Sequence, residues 1–228
     1  MSCTAARKLA RARSVGLLLV RSGIARFCNL MIASSHSSAD ALSALRQATA
    51  SRHERLDTGL PLGKPDASLD DYLDHLRLLA RWLGPIDAWS AAFNDGPQGG
   101  AAPPPLDRMA VIQADLAGAG QKLPPFAAAP WPAAASAAYR WGVAYVVEGS
   151  QLGGAVLYKR LAARLSPHPL DYLKPGADGP GPRWRAFMAA LAAQVRSDDE
   201  IAEACAGARA AFDRILALTP ENTGVPLS

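Results

Sequence analysis

The stretch 145-YVVEGSQLGGAVLYKRL-161 reads as a helix, yet it holds glycines at positions 149, 153 and 154. Each glycine inside a helix costs up to about 1 kcal/mol relative to alanine. Alanine is abundant in this chain, so a cheaper residue was available at all three positions. On a helix, residues 149 and 153 lie on one side with 154 beside them, which makes a strip of bare backbone. Two readings are open. The strip lets another helix approach closely or marks a kink; or something flat and wide lies against the backbone and the helix flexes around it.

The rest of the chain also reads as helices. Asp40 to Asp57, "DALSALRQATASRHERLD", has apolar or small residues at 41, 42, 45, 48 and 56, with Asp40 or Ser38 as N-cap. Leu69 to about Phe93 is a longer amphipathic helix. Leu106 to Ala119 is a weaker one, and Ala134 to Leu165 a long one interrupted by the glycines above. Trp184 to Val195 and Asp199 to Leu218 close the set. Between them, "NDGPQGGAAPPP", "PPFAAAPWPAAAS" and "SPHPLDYLKPGADGPGP" are loops, because glycine and proline do not sustain a helix. No run of alternating β-branched residues occurs, so the expected fold is all-α, a single helical domain over residues 39–220.

Composition narrows the function classes. The formal charge is +4, but Arg7, Lys8, Arg11, Arg13, Arg21 and Arg26 precede the first helix without a single acid; +4 less these six leaves −2 for the body. Nucleic-acid binding therefore has little support there. Residues 1–38 read as a basic, disordered extension and 221–228 as a tail. The apolar run Val15–Val20 is too short for a secretory signal and is followed at once by Arg21. Cys3, Cys28 and Cys205 are scattered, with no disulfide framework or zinc spacing, which fits a reducing cytoplasm. No apolar run approaches the roughly 20 residues that span a bilayer. A monomer is the simplest expectation.

Of four histidines, His36 sits in the extension, His168 lies between prolines in a loop and is expected to face solvent, and His75 is expected on a partly buried or surface position. His53 differs. Arg46, Thr49, His53 and Asp57 form one helical stripe. A carboxylate four residues after a histidine can accept a hydrogen bond from Nδ1–H and leave Nε2 for a metal, while an arginine two turns back suits an anionic group on the same ligand. Such a stripe is also what a solvated helix face looks like. One axial histidine on one helix and a glycine strip on another together describe a haem sandwich.

The motifs "LRQATASRHERLD" at 45–57 and "YVVEGSQLGGAVL" at 145–157 resemble the haem oxygenase family, in particular its bacterial branch found with bacteriophytochromes. The likeness extends over most of 39–218, including "DDYLDHLRLLARWLGPIDAW", "RWRAFMAAL" and "AGARAAFDRILAL". The resemblance implies a helical bundle holding haem between a proximal and a distal helix, with His53 as iron ligand. It places Gly149, Ser150 and Gly153 at the reacting face, with Gly154 beside them. Thr49 stays with the proximal stripe, Arg46 meets a haem propionate, Asp57 lies close to the ligand, and Arg185 or else Arg183 is a second propionate partner. Ser150 stands where the animal branch has an aspartate that organises a proton-delivering water network. A serine hydroxyl donates and accepts but holds no charge at neutral pH, so that network is arranged differently here.

The implied reaction is oxidative cleavage of haem to biliverdin, ferrous iron and carbon monoxide. It uses O2 and electrons from a separate ferredoxin or flavin reductase, because the chain has no flavin or nicotinamide fingerprint. A bacteriophytochrome is a possible bilin acceptor. The competing readings are a haem carrier or sensor without turnover, a structural domain in which the glycines serve packing, and a helical enzyme for a small heterocycle, for which no cysteine or acidic pair sits in the motifs.

Overall fold

Ser68 begins the second helix in a way the sequence makes inevitable: its hydroxyl accepts from Asp71 N at 3.1 Å while Asp71 Oδ2 accepts from Ser68 N at 2.7 Å, a reciprocal cap with Asp70 and Asp71 at the positive end of the helix dipole. The computed structural model describes residues 38–125 and 130–219. The basic extension and the tail therefore lie outside the described residues, apart from Ser38. Six α-helices occupy the described chain: α1 Ser38–Gly59, α2 Leu69–Ser90, α3 Arg108–Gly118, α4 Ala137–Leu161, α5 Gly181–Gln194 and α6 Asp198–Ala217. No strand occurs among the described residues. The fold is all-α.

Local chemistry sets the boundaries. Asp107 caps α3 through Ala110 N at 2.9 Å, Ser136 caps α4 through Tyr139 N at 3.0 Å, and Ser197 with Glu200 closes a second reciprocal cap on α6. Helix α2 runs through Pro85 although that ring offers no N–H to the preceding turn, and it gives way after Ser90 to tight turns, short of Phe93. Helix α4 is continuous. The expected interruption at its glycines does not occur, because the backbone ladder needs no side chains and glycine taxes a helix without breaking it.

Helix α6 organises the bundle. It lies along α4 and along α1, the two most extensive helix contacts, while α1 and α4 share no comparable interface. The α4–α6 approach is backbone to backbone. A Cβ on Gly142 would stand 1.8 Å from Ala204 O, and one on Gly207 would stand 2.0 Å from Tyr139 O. Trp82 Nε1 donates to Ala211 O at 3.0 Å and ties α2 to the same helix. Around this seam the core gathers Tyr72, Leu76, Leu83, Trp141, Phe187 and Leu191, all nearly free of solvent.

His75, on α2, is half-buried with Nδ1 shut from solvent and lacking a hydrogen-bond partner, and burial pushes its imidazole down to about 4. The fold therefore keeps it neutral, whereas the unfolded chain protonates it below about 6.5. Stability is lost as pH falls through that window, by about 2 kcal/mol between neutrality and pH ~5 from this group. Urea unfolding of haem-free protein at the two pH values checks this: His75→Leu should flatten the slope. An equally steep loss in the variant places the titration elsewhere.

Candidate functional site

Residues 142, 149, 153 and 160 share one face of α4, being spaced by sevens and fours. At one end Gly142 meets the backbone of α6. At the other, Arg160 Nη2 donates to Leu62 O at 2.7 Å and Lys64 O at 3.3 Å, and Arg164 Nη1 donates to Pro65 O, all in the turn that follows α1. Between the two closures the face is bare. A Cβ on Gly153 would meet nothing within 4 Å, one on Gly149 would rest 3.6 Å from Trp184 Cη2, and one on Gly154 would rest 3.6 Å from Leu173 Cδ2. Alanine fits at all three positions. Helix packing therefore does not account for these glycines; it accounts for Gly142 and Gly207, which the sequence pattern did not single out.

His53 stands on α1 with Nδ1 donating to Asp57 Oδ2 at 3.0 Å, and that bond, against the opposing effect of burial, raises the imidazole above its ordinary value. The ring leans on Phe212 of α6, centroids 5.8 Å apart. Next to it Arg52 grips Asp213 with two bonds, Nε to Oδ1 at 2.7 Å and Nη2 to Oδ2 at 3.0 Å, so α6 fixes the turn of α1 that carries the histidine. Nε2 has no hydrogen-bond partner among the described residues. With Nδ1–H fixed by a carboxylate, Nε2 carries the lone pair that a metal needs.

No group of three or more His, Cys, Asp or Glu side chains suited to a metal exists among the described residues. A metal at His53 must therefore bring its remaining ligands with it. A flat macrocycle with iron at its centre meets that requirement, and the bare stretch of α4 is a cradle that side chains would fill. The donor set and the cradle fit haem.

The polar groups around α4 are mostly committed. Ser150 Oγ donates to Val147 O at 2.7 Å, which leaves its lone pairs to accept. Gln151 Nε2 donates to Tyr172 OH at 3.2 Å, and burial pushes that phenol up to about 12. Glu148 receives Arg108 Nη2 at 2.7 Å and Arg183 Nε at 2.8 Å; burial raises its carboxyl, and the two guanidinium groups together outweigh that and hold it below the usual range.

Residues 39–220 match the family model described as heme oxygenase. The chain belongs to the haem oxygenase family. A heme oxygenase of Xanthomonas campestris pv. campestris (strain 8004) is 36% identical over 157 residues, spanning 66% of this chain and 90% of the relative. The NO- and CO-bound heme oxygenase of Neisseria meningitidis is similar in structure, with a TM-score of 0.62, 28% identity, and coverage of 80% of this chain and 92% of that one. This haem oxygenase is accordingly a haem-degrading enzyme with the all-helical fold of its family. No helix among its described residues is long and apolar enough to cross a membrane.

Within this haem oxygenase the stripe on α1 holds together but its members differ in availability. Arg46 is half-buried, whereas Thr49 is buried and its hydroxyl donates to Leu45 O at 2.8 Å, so only its methyl faces outward from the helix backbone. Arg185 is exposed on α5. Arg183 is committed to Glu148 and, through Nη1, to Pro104 O at 2.7 Å. His168 is not a solvent-facing loop residue. It is half-buried, its Nδ1 accepts from Leu170 N at 3.2 Å, Nε2 contacts Asp115 O at 3.0 Å, and the ring stands edge-on to Tyr72. Phe212, the Arg52–Asp213 pair and the Glu148 cluster escaped the sequence reading, since nothing in local spacing signals partners 35 or 161 residues apart.

Proposed function

We propose that this enzyme binds haem between α1 and α4 with His53 Nε2 on the iron, and opens the macrocycle to biliverdin with release of ferrous iron and carbon monoxide. O2 is the oxidant, and electrons come from a separate ferredoxin or flavin reductase. The observation that carries this reading is the bare face of α4 at Gly149 and Gly153, which no neighbouring residue of the chain requires.

The haem iron supplies the oxygen-binding and electron-accepting chemistry, and the porphyrin is itself the substrate. The chain's residues do the rest. Asp57 holds Nδ1–H, Phe212 props the ring, and Nε2 is thereby aimed along one direction. Gly149 and Gly153 would leave the opposite side of a bound haem free of side chains, with room over the metal for a small molecule. Ser150, whose hydroxyl hydrogen is held by Val147 O, accepts hydrogen bonds from water there; without a carboxylate, the charge in this region comes from Glu148 and its arginines. Arg46 and Arg185 are the propionate partners, with Thr49 and Gly154 flanking the bound ring. Delivery of the bilin to a bacteriophytochrome in the cytoplasm rests on the likeness of the two motifs.

An absorbance time course tests the reading. Full-length protein with one equivalent of haemin, supplied with ferredoxin reductant in air, should lose its Soret band while a broad red bilin band grows. A Soret band that only shifts on reduction makes the chain a haem carrier or sensor, and no Soret change on mixing removes haem from the site.

A further inference from the structure

Glu148 directly precedes the first glycine of the bare face and, as neighbouring helix residues do, points to a different side of α4. Its carboxylate is 11% exposed and receives both Nε and Nη2 of Arg183, at 2.8 and 2.9 Å, as well as Arg108 Nη2 at 2.7 Å. A planar two-point grip of this kind fixes orientation as well as distance. It therefore locks the register of α5 on α4 at the pair 148–183. The next pair in that register is Gly149 with Trp184.

Trp184 is buried, lies 3.6–3.7 Å from where a Gly149 Cβ would be, and is held on its other sides by Tyr145 and Phe187, ring centroids 5.5 and 5.9 Å away. One turn along, at Gly153, the same face meets nothing within 4 Å. The bare face thus has a wall at one edge and open space at the other. A flat ligand sliding along α4 toward Gly149 is arrested at the indole.

We propose that Trp184 is the steric stop that sets how far the macrocycle slides and turns in its own plane, and so selects which bridging carbon is cut, with Glu148 as the positioning residue that holds the stop through Arg183. This rests on the function proposed above. It makes the indole a specificity-determining residue that contacts the substrate edge, and it gives the buried ion cluster a task beyond stability.

The test uses full-length Trp184→Phe, Trp184→Ala and Glu148→Gln. Two readouts are taken: the haem-methyl proton resonances of the haemin–cyanide complex, which report in-plane seating without turnover, and the biliverdin isomer ratio by chromatography. Trp184→Ala should shift both ratios by roughly two- to tenfold, the worth of an aromatic contact. Trp184→Phe and Glu148→Gln should move the same resonances less. If Trp184→Phe and Trp184→Ala, or the phenylalanine variant alone should alanine prevent folding, keep the parent's methyl pattern and isomer, the stop is refuted. Shifted resonances in the variants, together with a parent chain that binds haemin but does not open it, uphold the stop and defeat the oxygenase reading. A parent that does not bind haemin defeats both.

Discussion

Alanine in place of Gly142 is expected to destabilise the haem-free protein by about 3 kcal/mol or more, the upper end of what overpacking a core costs. The added methyl would stand 1.8 Å from a main-chain oxygen of α6, and main chain cannot swing aside as a side-chain tip can. Gly207→Ala should behave alike, at 2.0 Å from Tyr139 O. Gly149→Ala and Gly153→Ala should do the opposite and raise stability by up to about 1 kcal/mol each, because helix propensity improves and the space exists. Urea unfolding followed by circular dichroism decides. Parent-like stability in Gly142→Ala would mean the two helices do not meet backbone to backbone. A loss in Gly153→Ala comparable to that at Gly142 would return the bare face to ordinary packing.

The second large effect is on ligand chemistry. His53→Ala should keep the fold, since its side chain is 41% exposed and alanine suits a helix, yet lose the imidazole-ligated haem spectrum. Haem degradation should fall by more than about a hundredfold, beyond the loss seen when only an outer-sphere partner of a metal ligand is removed. Gly153→Leu is the complementary variant: haem-free stability unchanged or higher, degradation strongly reduced by a side chain projecting over the metal. Added imidazole should restore part of the spectrum to His53→Ala and do nothing for Gly153→Leu. An unaltered spectrum in His53→Ala excludes that histidine as ligand, and undiminished degradation by Gly153→Leu removes α4 as the wall opposite it.

The helices and the pairing of His53 with Asp57 were legible in the sequence because their signals are local. Helical periodicity, proline-rich breaks, and the i, i+4 relation of His53 to Asp57 all lie within a few residues. What stayed hidden was set by distant neighbours. Nothing in "RWGVAYVVEGSQLGGAVL" at 140–157 distinguishes a glycine facing another helix from one facing open space; only the position of α6 shows that Gly142 belongs to the first kind and Gly153 to the second. Likewise nothing near Arg183 in the sequence announces its grip on Glu148, 35 residues away. His168 was misjudged for the same reason: the Asp115 carbonyl that engages it is 53 residues upstream.

The two classes of glycine, those where α4 meets α6 and those on the bare face of α4, give the fold two independent memories. Gly142 and Gly207 are held by the architecture itself, since neither has a single-step replacement that the facing backbone tolerates. Gly149 and Gly153 face no main chain, and in the function proposed above it is the ligand that holds them. A descendant of this chain released from haem degradation would therefore drift first at 149 and 153, where alanine is favourable to the fold, and would keep 142 and 207. The order of decay along one helix would date the loss of function before any loss of shape.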